Sequence, residues 1–253
     1  MSRNFELLNQ MGQADVTMQP QIEPARAENN PAEFAFTPTQ SLEIDGIARE
    51  ELTKLVHRLF LASGAEGPRR VVMTGPESGT GASWICAHAA EILAAQTERT
   101  VCLVDCNLRA PSLHVQFGVE NHFGLTDALL GSAPIREYAR PLSRRNLWMV
   151  SCGSTTEAGQ ALLTSDRMRM RVAELSATFD YLLFDVSALN TSNQATVVGS
   201  LVDGVVLVLK ANSSRRDSAR DSIQGLQASG VRVLGTVLNQ RIFPIPENIY
   251  QRL

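Results

Sequence analysis

The segment "RRVVMTGPESGTGASWICAHAAEILAAQ", residues 69–96, decides the fold. Val71–Met73 is an apolar run of strand character, and residues 83–96 follow a helical pattern. Between them lies a glycine-rich turn, Thr74 to Trp84. Strand, glycine turn and helix in this order form a phosphate-binding loop, which holds its anion largely with backbone N–H groups and the helix N-terminus. Gly79 and Gly81 allow the backbone a close approach around Thr80, and Ser83 offers a hydroxyl of the kind that ligates Mg²⁺. Such loops normally carry a lysine directly after the last glycine, whereas here that position is Ala82. One charge-assisted bond is worth about 1.5–3 kcal/mol of affinity. The same cation stabilises charge during phosphoryl transfer, where its loss costs roughly 10²–10³ in rate. Ala82 therefore weighs more heavily on catalysis than on binding.

Outward from this loop, apolar runs alternate with helical patterns. Strands are expected at Val71–Met73, Val101–Asp105, Leu147–Ser151, Tyr181–Asp185, Gly204–Leu209 and Val233–Asn239. Helices are expected near 83–96, 124–130, 165–178, 192–201 and 214–228. Runs such as "VCLVD" and "GVVLVL" are apolar throughout, as in strands covered on both faces. The alternation predicts an α/β fold: a doubly wound, mostly parallel sheet between helical layers. Ligands in such sheets bind beyond the carboxyl ends of the strands, and three of those ends are Asp105, Asp185 and Asn239. A further helix is expected from about Asp45 to Ala62, with Asp45 as N-cap. Leu52, Leu55, Val56, Leu59 and Phe60 form its apolar face.

The chain of 253 residues is 44% hydrophobic, enough for one sizeable domain with a tail. Its net charge of −3 gives no electrostatic reason to expect nucleic acid. No apolar run approaches the ~20 residues of a membrane span, and "MSRNFELLNQ" lacks the pattern of a signal peptide, so a cytoplasmic location is expected. Cys86, Cys102, Cys106 and Cys152 read as reduced core thiols rather than metal ligands. Residues 1–42 read as a flexible arm, with Phe5, Leu7, Leu8 and Met11 able to form one short docking turn. Residues 43–243 form the folded domain and 244–253 a C-terminal tail, which Pro244 and Pro246 keep extended.

The segments "TGPESGTGAS", "VCLVDCNLRAPSLHVQFG", "GLTDALLG", "FDYLLFDVSAL", "VDGVVLVLKANSSRR" and "GVRVLGTVLNQ" together resemble the cytoplasmic domain of bacterial tyrosine kinases (BY-kinases), in the P-loop NTPase branch that includes the MinD/ParA ATPases. The resemblance covers roughly residues 43–243. It implies a P-loop NTPase fold, ATP or ADP with Mg²⁺ as ligands, and work beside a membrane polysaccharide co-polymerase or export protein at the inner membrane. It also implies a homo-oligomer contacting through the helix of Glu51, Lys54 and Arg58, with Lys54 and His57 near where arginines are expected. Departures fall on the chemistry. The family's second acid in the "DCNLR" motif is Asn107 here, between Asp105 and Arg109. The Walker B segment keeps Asp185 but continues "VSAL". Tyr250 is the single late tyrosine where the family has a cluster, and stands as the candidate phosphosite. The resemblance places Ser83, Asp105 and Asp185 around the metal, and Asp105, Asn107 and Asp185 at the chemistry.

The expected function is thus a degenerate BY-kinase-like regulatory or scaffold protein of exopolysaccharide or capsule synthesis. The alternatives are an autokinase with a substitute cation, for which Arg109 and Lys210 are candidates, and a MinD/ParA-like positioning ATPase. Asn239 is read either as a contact to the adenine edge or as a strand-end turn residue. Trp84 either stacks on a ligand or packs beneath the loop. The run Arg215, Arg216 and Arg220 faces an acidic partner or headgroups, or is the solvated face of a helix.

Overall fold

The computed structural model describes residues 42–154 and 161–240. The expected arm with Phe5, Leu7, Leu8 and Met11, and the tail with Tyr250, lie outside the described residues. Among these, seven strands form one sheet in the order β3-β4-β2-β5-β1-β6-β7. The strands are β1 (Arg70–Thr74), β2 (Val101–Asp105), β3 (Ala139–Pro141), β4 (Leu147–Val150), β5 (Tyr181–Asp185), β6 (Gly204–Lys210) and β7 (Val233–Asn239). All neighbours pair in parallel except β3, which runs antiparallel along β4.

The apolar runs are continuous because each strand feeds two cores. Val71 and Met73 of β1 pack into one layer and Val72 into the other. Val101 and Leu103 of β2 divide from Cys102 and Val104 in the same way, as the period-2 alternation of a strand requires. The first layer holds α1 (Gly46–Val56) and α2 (Ala82–Gln96), with α3 (Leu113–Phe117) beside α2. The second holds α4 (Leu125–Leu130), α5 (Asp166–Thr178), α6 (Gln194–Gly199) and α7 (Arg216–Ala228). All four cysteines are buried and unpaired. Burial pushes each thiol upward, Cys152 to about 12, so they act as small apolar residues.

Asp45 caps α1 as expected, its Oδ1 accepting the Ala48 N–H at 2.7 Å. The helix expected to run evenly to Ala62 instead widens into a π-helical turn at His57–Leu61. Leu52, Val56 and Phe60 are spaced by four, and an α-helix rotates such a row by about 40° per step. The wider turn offsets that drift, and Phe60 stays buried, edge-on to Tyr181 at 5.9 Å. Glu91 of α2 ties down the chain before α1, accepting the Leu42 N–H at 3.1 Å. The short edge strand β3 was not expected. Its three residues, "ARP", carry no alternation, and a proline is tolerated there because β3 is an edge.

The six-residue α4 depends on neighbours for its carbonyl end. Arg171 of α5 donates to Ala128 O at 2.9 and 2.7 Å and to Gly131 O at 3.0 Å, and pairs with Glu174 at 2.6 Å. Arg167 donates to Leu129 O and Leu130 O. The Arg171 side chain is only 11% exposed, so water cannot readily replace it. Arg171→Ala is expected to cost about 2–3 kcal/mol, a fall in Tm of roughly 5–10 °C for a domain of this size. Scanning calorimetry checks this, and an unchanged Tm would show that α4 caps itself.

Candidate functional site

The sheet order places the ends of β1, β5 and β2 side by side. Asp105 and Asp185 are direct register partners, one strand away from the loop that follows β1. That loop, with the loops after β2 and β5, encloses a cavity of about 290 Å³. Gly79, Thr80, Gly81, Ala82 and Ser83 line one wall, Asn107 and Arg109 another, and Val186–Ala188 a third. Gly79 and Gly81 have φ of +83° and +84°, a left-handed conformation that favours glycine. The loop therefore has the shape of a phosphate cradle at the start of α2.

The loop is fastened by contacts between distant segments. The Leu189 N–H donates to Gly75 O at 2.9 Å and the Asn190 N–H to Pro76 O at 3.0 Å. Thr74 donates its hydroxyl to Ser187 O at 2.9 Å. Ser214 donates to the Glu77 carboxylate, 137 residues away in sequence, while accepting the Lys210 N–H. Asn239 donates its amide to Thr80 O at 2.9 Å and accepts the Gln240 N–H at 2.8 Å. One end of that amide is thus fastened to the loop and the other to the residue that follows it. A Cβ added at Gly81 would strike the Asn239 amide nitrogen. Gly81→Ala is therefore expected to cost about 2 kcal/mol or more through strain and loss of the Asn239 contact. Urea unfolding checks it, with Gly79→Ala, left-handed but in open space, losing less.

The acids are not part of the cavity wall. Asp105 is fully buried and turned into the chain, its oxygens accepting the N–H groups of Asn107 at 3.0 Å and Leu113 at 3.3 Å. Burial raises its carboxyl to about 7 against those bonds. Asp185 is also fully buried, and neither oxygen has a hydrogen-bond partner. Burial and then the charge of Asp105 push it well above the usual carboxylate range. The Ser83 hydroxyl lies close enough to oppose this, though outside hydrogen-bond geometry. Asn107 lines the cavity but is occupied as a fastener, its Oδ1 accepting the Ser187 hydroxyl at 2.8 Å and the Ala110 N–H at 3.3 Å.

Of the expected residues, the structure brings together Gly79, Thr80, Gly81, Ala82, Ser83, Asn107 and Arg109 around the cavity, with Asp105 and Asp185 beneath. Trp84 is directed elsewhere, tilted against His88 with ring centroids 4.0 Å apart. Lys210 does not line the cavity. Arg109 is the single cationic side chain among the described lining residues, and Glu77 faces the same space. Glu77, Ser187 and Thr191 were not expected at this site. Glu77 and Ser187 stand inside the quoted motifs, and only their tertiary partners reveal what they do. A wider groove of about 670 Å³ opens beside Pro76, between Leu189 and α7, with Arg215, Asp217 and Asp221 on its wall. None of the loop glycines reaches it.

The backbone cradle fits a diphosphate. For a divalent cation, Ser83 and the orphaned carboxylate of Asp185 are donors that fit, since Mg²⁺ is held by one or two such groups beside phosphates. Asp105 is the less available donor, because each of its oxygens already accepts a backbone N–H.

A sequence model of the family "Cellulose biosynthesis protein BcsQ" matches residues 69–218, more than half of the chain. The chain belongs to this family. Its curated relatives include tyrosine-protein kinases: Wzc of Salmonella typhi, 28% identical over 193 residues, and YwqD of Bacillus subtilis, 28% identical over 171 residues. Those alignments take in 76% and 68% of this chain, against 27% of Wzc and 72% of YwqD, so the chain spans about a quarter of the Wzc length. Among solved structures, the kinase domain of Escherichia coli Etk superposes with a TM-score of 0.70 at 23% identity, over 79% of each chain. MinD of Pyrococcus horikoshii, complexed with Mg-ADP, does so with a TM-score of 0.58 at 19% identity, over 73% of this chain and 76% of MinD. The P-loop NTPase-like fold and the kinship with bacterial tyrosine kinases are thereby established. No helix among the described residues is long and apolar enough to cross a membrane.

Proposed function

We propose that this chain is a regulatory or scaffold protein of bacterial exopolysaccharide synthesis, cellulose or capsule, that holds ADP or ATP weakly and transfers phosphate poorly or not at all. One observation carries the reading. The phosphate cradle is retained in the shape of the loop, but Ala82 stands where its lysine belongs, and Arg109 alone supplies positive charge on the described wall. In the bound state Mg²⁺ supplies charge neutralisation at the phosphates. The chain's own part is to orient the anion by backbone N–H groups, with Ser83 near the cation. Nothing in "VSAL" replaces the missing groups, and Asn107 as an amide cannot act as a base.

The partner on this reading is a membrane polysaccharide co-polymerase or export protein, which would keep the chain at the inner face of the membrane. A homo-oligomer through α1 would be weakened, because Lys54 is paired with Glu50 and Glu51 of its own helix at 2.9 Å. The second reading is an autokinase in which Arg109 replaces the lysine and Tyr250 accepts phosphate, favoured by the position of Arg109 on the cavity wall. Titration with fluorescent ADP and ATP analogues in Mg²⁺ tests the first. Saturable binding with Kd of about 0.1–1 mM, some 4–5.5 kcal/mol, is expected. No binding at millimolar ligand would show that the cavity does not hold a nucleotide.

A further inference from the structure

Strand β7 closes one side of the sheet, and its outer edge pairs with no strand among the described residues. Its backbone orientation is fixed by one bond. The Asn239 carbonyl accepts the Ala211 N–H at 2.8 Å, so Asn239 faces β6. By alternation Val237 also faces β6, while Thr236 and Leu238 turn their N–H and C=O groups outward. The edge also presents an apolar side chain: Leu238 is 57% exposed, while Val237 and Leu234 turn into the core layer of α1 and α2. A bare edge of this kind is an aggregation hazard that proteins cover.

The chain that follows is "RIFPIPENIYQRL", residues 241–253. Gln240, where it begins, has φ of +56°, a left-handed turn conformation suited to reversing the chain. Pro244 and Pro246 are two apart. In a strand, residues two apart turn their backbone groups to the same side, so both prolines can face solvent while Phe243 and Ile245 face β7. The opposite parity would ask the prolines for N–H groups they lack. With residues 239–242 as a four-residue loop, Phe243 stands opposite Leu238 and Ile245 opposite Thr236. Cross-strand partners share a face, so the Phe243 ring would lie on the exposed Leu238 side chain. The prolines would then form the new outer edge and block further pairing.

We propose that residues 243–247 add to β7 as an antiparallel eighth strand. The tail then runs back from the cavity end of the sheet. Since β7 spans about 23 Å at ~3.3 Å per residue, Tyr250 comes to lie at the far end, out of reach of its own phosphate cavity. This inference rests on the edge of β7 and is independent of nucleotide binding.

Hydrogen exchange on the full chain without nucleotide tests it. The Thr236 and Leu238 amides are expected to be protected at least tenfold more than in a chain lacking residues 241–253. Ile245→Pro should remove that protection, and Pro244→Ala with Pro246→Ala should keep it. Circular dichroism on each variant separates an opened edge from global unfolding. Equal exchange in the full and shortened chains would overturn the proposal, as would insensitivity to Ile245→Pro. So would protection that persists in the shortened chain and grows with protein concentration, which would assign the edge to a second copy.

Discussion

Replacing Ala82 with lysine tightens ADP and ATP roughly tenfold to a hundredfold, the range that about 1.5–3 kcal/mol of charge-assisted bonding provides. Position 82 is the first residue of α2 and lines the cavity, so the added side chain enters the space where phosphates would sit. Asp105 and Asp185 lie beneath the same cavity, their carboxyls raised by burial. Turnover is not expected to follow. Asn107 stays bonded to Ser187 and Ala110, and Asp105 stays bonded to backbone, so no group is released to serve as base. Fluorescent-analogue titration of the two chains side by side reads the affinity change. No gain in affinity would show that the cavity is not a phosphate site.

The second large effect is on stability. The carboxyls of Asp105, at about 7, and Asp185, shifted in the same direction, lie above their value of 3.8 in an unfolded chain. The folded chain thus retains protons that the unfolded chain releases above pH 4. Their contribution is complete below about pH 4 and is lost as the pH rises through 7. A shift of about three units in one buried group corresponds to roughly 4 kcal/mol as an upper bound. Between pH 5 and pH 8 the Tm should therefore fall, by about 5–10 °C. Asp185→Asn removes the orphaned carboxylate and the like charge that Asp105 feels. Its Tm should change less over that range and exceed the parent's at pH 8. A parent Tm that is flat from pH 5 to 8, or an Asp185→Asn chain less stable at pH 8, would contradict this reading of the pair.

The sheet was legible because its signal is local. Strands β2 and β5 begin and end where the apolar runs do, since burial on both faces leaves no room for polar residues within them. The edge strand β3 was not legible, because a three-residue edge needs neither alternation nor length. The π turn of α1 likewise depends on where Phe60 must land against Tyr181. At the site, the motifs located the loop, the two aspartates and Arg109, because spacing along the chain carries that information. They could not show that Asp105 is turned into backbone, that Asn239 is locked onto Thr80, or that Glu77 is held by Ser214. Those facts belong to pairs separated by up to 159 residues, and only the folded sheet brings them together. Trp84 illustrates the same limit: its neighbour His88 is one helical turn away, and the ring orientation that pairs them is decided by packing.

This cradle is expected to hold phosphate without moving it. Incubating the purified full chain with γ-labelled ATP and Mg²⁺, and following both released phosphate and protein-bound label, tests it most directly. Phosphate release at the uncatalysed background and no label on Tyr250 are expected. Label that accumulates on Tyr250, disappears in Tyr250→Phe and is abolished in Arg109→Ala would contradict it and identify an active kinase with a substitute cation.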